Sequence, residues 1–227
     1  MNFRTGLILR RRILPDPAAP VVTSRDDLDT VRAETKAVYN RQAAAWNAQR
    51  PLSLHERPCL EEFAAKLPRG GHVLDLGCGS GAPIGGWFLE QGYRLTGLDY
   101  APAMIELAKS QYKEGEWLVG DMRDLNLCGR YDGVISWDGF FHLSREEQRA
   151  FFATLAPLMV PGAPLLLTVG PEDGEVTGTV ASEQVYHASL SPDEYRARLD
   201  AAGFSDVRIT PHGEETAGRT LLTAVRT

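Results

Sequence analysis

Cysteine is scarce: the 227 residues hold three, Cys59, Cys78 and Cys128, and no CxxC pair. An odd count without paired spacing excludes a disulfide framework and a structural zinc site, and a reducing cytoplasm is the expected compartment. Long apolar runs are missing too. None approaches the ~20 residues that cross a bilayer, so no membrane partner is expected. Positive charge is in deficit, with 24 Lys and Arg against 30 Asp and Glu, a formal net charge of −6. General affinity for phosphate backbones needs clustered basic residues, so nucleic acid is an unlooked-for partner. What is present is a globular composition, 43% hydrophobic, in a chain long enough for one substantial core.

The first twenty residues stand apart. Met1 to Arg12 carries four arginines and no acid, and Pro15, Pro17 and Pro20 break regular structure. Residues 1–20 are expected to be a disordered extension, with an Arg-rich targeting segment as the alternative. Residues 21–227 read as one domain. A helical cap at about 28–67 contains a helix from Leu28 to Gln49, with Leu28, Val31, Thr35, Val38 and Ala45 near one face, and a second from His55 to Lys66. From about residue 70 short apolar runs alternate with helical stretches. Strands are expected at His72–Leu76, Tyr93–Leu98, Glu116–Val119, Tyr131–Trp137, Pro164–Val169, Asp206–Thr210 and Thr220–Val225. Helices are expected at Ile84–Gln91, Pro102–Tyr112, Arg145–Leu158 and Pro192–Ala202. Such alternation implies an α/β fold, a mostly parallel sheet with helices on both faces. In such sheets ligands sit beyond the carboxyl ends of the strands.

The first strand runs into Asp75-Leu76-Gly77-Cys78-Gly79-Ser80-Gly81, whose alternate glycines permit a sharp turn and close approach of a ligand. Asp75 directly before them would repel a pyrophosphate and favour a cationic ligand, or it clamps the loop. Asp99, followed by Tyr100, closes the second strand, where a carboxylate suits ribose hydroxyls or caps the next helix. The third strand ends in Asp121-Met122, a side-chain acceptor beside a backbone N–H that together suit an adenine edge; Met122 suits a core equally.

From about Tyr39 to the C-terminus the chain resembles the class I S-adenosylmethionine (SAM)-dependent methyltransferases. Val73 to Gly81 is similar to their first motif, Asp99 to their ribose-binding acid and Asp121-Met122 to their adenine contact. The resemblance implies a seven-stranded Rossmann-like sheet with a small helical N-terminal cap. It also implies SAM as cofactor, S-adenosylhomocysteine as product, and a cofactor site of Tyr39, Asp75, Gly77, Cys78, Gly79, Gly81, Asp99, Tyr100, Asp121, Met122 and Trp137.

The fourth strand leads into Trp137-Asp138-Gly139-Phe140-Phe141-His142, where such enzymes place residues near the transferred methyl. His142 and Asp138 are the candidate bases, His142 first because an imidazole titrates near neutral pH. The alternative for His142 is a place beside a helix start, where Ser144 and Glu147 spell a capping box. The Asn/Asp-Pro-Pro-Tyr pattern of exocyclic-amine methylation is missing, as is an acidic cluster for a metal. The connection 170–190, with Tyr186 and His187, is expected to act as a lid; Trp46 and Phe141 are further candidates for the acceptor side. The expected acceptor is a small organic molecule, methylated on oxygen or nitrogen. Nucleic-acid or protein methylation, a non-catalytic SAM-binding protein, and a nicotinamide-dependent oxidoreductase are the alternatives. The last is disfavoured by GxGxG spacing followed by Ala82-Pro83.

Overall fold

The computed structural model describes residues 24–50 and 53–227. The extension expected at residues 1–20 lies outside them. Helix α1 (Arg25–Gln49) starts at Ser24, whose side chain accepts from the Asp27 N–H, with Asp26 and Asp27 in the positive first turn. It begins three residues earlier than periodicity alone suggests, because cap chemistry rather than apolar spacing sets its start. Its buried face is thin, Thr35, Val38 and Ala43, so it depends on what it packs against. Helix α2 (Arg57–Ala64) buries Cys59, Leu60 and Phe63.

The core then alternates: β1 (His72–Leu76), α3 (Ile84–Glu90), β2 (Arg94–Asp99), α4 (Pro102–Gln111), β3 (Glu116–Val119), β4 (Gly133–Ser136), α5 (Arg145–Leu155) and β5 (Pro164–Val169). After β6 (Gly174–Val180) and β7 (Glu183–Ser189) come α6 (Pro192–Ala201), β8 (Phe204–Thr210) and β9 (Thr220–Arg226). Among the described residues, seven strands form one sheet in the order β3-β2-β1-β4-β5-β9-β8. Strands β1 to β5 are parallel, and β9 runs antiparallel between β5 and β8.

The strands are apolar on both faces because both faces are covered. Val73, Leu95, Ile135 and Leu166 pack with Leu60, Phe63, Phe88 and Ile105 from α2, α3 and α4. The alternate residues Leu74, Leu76, Val134, Leu165 and Leu167 pack with Phe151, Phe152, Leu155 and Leu199 from α5 and α6. Each such fully buried side chain contributes about 1.5–3 kcal/mol.

The structure gives the connection 170–190, expected as a lid, a regular form. That connection is an antiparallel hairpin, β6 with β7, paired from Gly174–Ser189 to Val180–Glu183. Its two turn residues, Ala181 and Ser182, take φ of +46° and +73°. Hairpin turns with positive φ are usually spelled Asn-Gly or Asp-Gly, and Ala-Ser hides this one from pattern reading.

Candidate functional site

Parallel register brings the ends of β1, β2 and β4 side by side, and the glycine loop folds over them. The N–H groups of Gly77 and Cys78 both donate to the Leu98 carbonyl, at 2.7 and 3.2 Å. Gly77, Gly79 and Gly81 have φ of +73°, +55° and +76°, a region that a Cβ disfavours. At Gly81 a Cβ would also lie 2.6 Å from the Trp117 ring. Asp99 holds the loop from below: one carboxylate oxygen accepts from Gly79 N–H at 2.9 Å and the other from Ala101 N–H at 2.8 Å. Both oxygens keep a lone pair for a further donor.

Two buried carboxylates thus line one end of a cavity of about 860 Å³. Burial raises Asp99 to about 6, against the opposing pull of its two amide donors. Burial raises Asp75 to about 7; the Arg50 guanidinium pulls it down and Asp99 pushes it further up. The Asp75 carboxylate accepts no hydrogen bond among the described residues. A desolvated carboxylate without a donor is poised for a cationic ligand, and a sulfonium or an α-ammonium meets that need. Arg50 lies across the Trp46 ring, 4.9 Å from its centroid, with Nε buried and unpartnered. A cation and an anion face each other across the glycine loop, as an amino-acid ligand requires, so the residues present fit SAM.

Helix α1 closes the cavity from above through Tyr39, Trp46 and Arg50. The Tyr39 hydroxyl sits 2.9 Å from His142 Nε2, and His142 Nδ1 sits 2.7 Å from the Tyr186 carbonyl oxygen. A carbonyl only accepts, so Nδ1 carries the proton and Nε2 accepts from Tyr39. Burial pushes His142 down to about 4, outweighing the Tyr186 carbonyl and the Asp138 charge, and raises the Tyr39 hydroxyl. His142 is therefore neutral at pH 7 and does not titrate near neutrality, contrary to the sequence expectation. The capping box beside it is real: Ser144 accepts from Glu147 N–H and Glu147 from Ser144 N–H.

Asp138, the second candidate base, is not free. Its carboxylate takes a two-pronged bond from Arg219, with Nε at 2.6 Å and Nη2 at 2.8 Å. Its backbone has φ +57°, and its N–H donates to Thr168 Oγ1. Sequence reading missed Arg219. The pair spans 81 residues, and no local pattern announces it.

The cavity collects Tyr39, Trp46, Asp75, Gly77, Cys78, Gly79, Asp99, Tyr100, Met122, Trp137, Asp138, Phe141, His142 and His187 of the residues singled out above. Three lie off it. Gly81 serves the turn. The Asp121 carboxylate is held by Arg123 and lowered by it, although burial acts the other way. The Tyr186 ring is fully buried with its hydroxyl on Glu175, and only its backbone reaches the site. No cluster fit for a metal ion occurs among the described residues.

Residues 73–162 match a family model described as a methyltransferase domain. The 18S rRNA (guanine-N(7))-methyltransferase of Mus musculus is 34% identical over 122 residues, 48% of this chain and 43% of that protein. The ubiquinone biosynthesis O-methyltransferase of Xanthomonas axonopodis pv. citri is 30% identical over 139 residues, 58% of this chain and 57% of that one. The chain thus covers about half the length of these curated relatives. Among solved structures, the 1,6-didemethyltoxoflavin-N1-methyltransferase of Burkholderia thailandensis, with S-adenosylhomocysteine bound, superposes with a TM-score of 0.62 at 24% identity. The overlap covers 92% of each chain. Residues 73–162 thus carry a methyltransferase domain, and the fold is that of the class I SAM-dependent methyltransferases.

Proposed function

We propose that this protein transfers the methyl group of SAM to an oxygen or nitrogen of a small organic molecule. The observation that carries this reading is the roof. The β6–β7 hairpin lies against α1 and is latched to it at three places: Tyr186 N–H on Thr35 Oγ1 at 3.0 Å, Arg41 and Gln42 on Glu183, and Arg25 on Glu175. Hairpin and helix together line one side of this partly open cavity. The roof narrows the approach for a polymer, whereas a small acceptor fits beneath it. The acidic net charge accords with the same reading.

When bound, SAM supplies a methyl group activated for in-line displacement. The chain's part is alignment and exclusion of water. Asp75 and Arg50 would take the amino-acid end, Asp99 the ribose, and Met122 and Tyr100 the base. Tyr39 and His142, locked to each other and to β7, would fix the wall beside the methyl. With His142 depressed and Asp138 bound to Arg219, the acceptor's own lone pair would take the methyl group and its proton would pass to solvent water. A second reading, rRNA methylation, has the similarity to the mouse enzyme in its favour.

Calorimetric titration with SAM, S-adenosylhomocysteine and NADH, on the native protein and on Asp99→Ala, tests the cofactor half. Binding of both adenosyl ligands, weakened by the substitution, supports it; binding of NADH alone contradicts it.

A further inference from the structure

The two ends of the cavity differ in charge. Around the glycine loop stand the buried carboxylates Asp75 and Asp99, with Arg50 facing Asp75. Beneath the roof the ionisable groups are closed off: Asp138 is clamped by Arg219, and both ring nitrogens of His142 are engaged. Glu172 and Asp173 stand exposed at the mouth, the latter paired with Arg145.

His187 differs from these groups, as a half-buried ring on the roof strand itself. Its imidazole lines the cavity in edge contact with Phe141, 4.6 Å between ring centroids, and lies tilted against His142 at 4.9 Å. Neither of its nitrogens has a hydrogen-bond partner among the described residues. The ring is also built into its place. A Cβ at Gly178 on the facing strand would lie 2.5 Å from the imidazole Cε1, so the ring lies across β6 only because that position has no side chain. Burial, helped by His142 and Arg219, lowers His187 to about 3, against the Asp138 charge. At neutral pH it presents one N–H, one lone pair and no charge.

We propose that His187 is the hydrogen-bonding contact for the methyl acceptor, and that the roofed end takes an uncharged ring carrying a hydroxyl or an N–H. This rests on the small-molecule reading above. A half-buried imidazole with an unmet donor and acceptor is satisfied by a group that both gives and accepts a hydrogen bond. Aromatic edges around it favour a ring. A charged ring would shed water there and find Asp138 and Arg219 already paired with each other.

The test uses the full chain saturated with S-adenosylhomocysteine and three named probes of one shape: 2-naphthol, 2-naphthoate and 2-naphthylmethylammonium. The expected result is that 2-naphthol binds at least about tenfold more tightly than either ion. His187→Phe, which keeps a ring and removes the hydrogen bond, should weaken 2-naphthol about tenfold and leave S-adenosylhomocysteine affinity within about twofold. Gly178→Ala, which displaces the imidazole without altering its chemistry, should do the same and stands in if His187→Phe does not fold. An ion that binds as well as 2-naphthol overturns the proposal, as does no binding of 2-naphthol or unchanged 2-naphthol affinity in a folded variant. If the native protein fails to bind S-adenosylhomocysteine at all, it is the methyltransferase reading that falls.

Discussion

Asp75 and Asp99 meet the same glycine loop in different ways. Asp99 is satisfied by two backbone donors, whereas Asp75 is buried with none. Asp99→Ala removes a charged partner of the loop and, on the proposed reading, of the ligand ribose, and should weaken S-adenosylhomocysteine by ~1–3 kcal/mol in calorimetry. For Asp75 the expectation splits. Its folded pKa of about 7 lies above its unfolded value, so between pH 4 and 7 the folded chain holds a proton that the unfolded chain has lost. Stability of the ligand-free protein therefore falls as pH rises through that window. Asp75→Asn should raise ligand-free stability at pH 8 by about 2–4 kcal/mol in chemical denaturation while weakening SAM. SAM, being cationic, should bind more tightly at pH 8 than at pH 6 and release protons, which calorimetry in buffers of different ionisation enthalpy reads directly. A pH-independent affinity without proton release would contradict the charge argument.

These residues were legible before the fold because their signals are local: a glycine turn, and an aspartate where each strand stops. The states of His142 and Asp138 were not. They depend on Tyr39, Tyr186 and Arg219, which lie 103, 44 and 81 positions away along the chain. Asp121 is a local case, since Arg123 only two positions on takes its carboxylate.

Among the elements, the parallel strands declared themselves as short apolar runs, because a strand covered on both faces has no polar side to alternate with. The hairpin did not. Its strands carry Thr, Glu and Gly, and its turn lacks the usual residues. Its hold on α1 is nonetheless specific, and Thr35 is central to it, accepting from Tyr186 N–H while donating to the Val31 carbonyl. Thr35→Val leaves a buried N–H without a partner and should cost about 1–3 kcal/mol in denaturation. Hydrogen exchange should rise in β6 and β7 before it rises in β1 or β4. Equal protection across all four strands would mean that the latch does not govern the roof. At the start of α5, Ser144→Ala breaks the capping box and should cost about 0.5–2 kcal/mol with little change in cofactor affinity.

Across the whole molecule the parts point one way. The sheet fixes where a ligand binds, the glycine loop and its aspartates favour a cationic nucleoside ligand, and the roof limits what else enters. Alternation of strands and helices made the sheet readable from sequence, yet the roof was not, since it joins α1 to a hairpin about 150 residues further along the chain. The most direct measurement supplies the protein with SAM deuterated in the methyl group and, in parallel, a small-metabolite extract and total RNA, then follows the label by mass spectrometry. The account predicts label in the small-metabolite fraction and none in RNA nucleosides; label carried by guanine in RNA, with none in small molecules, would contradict it.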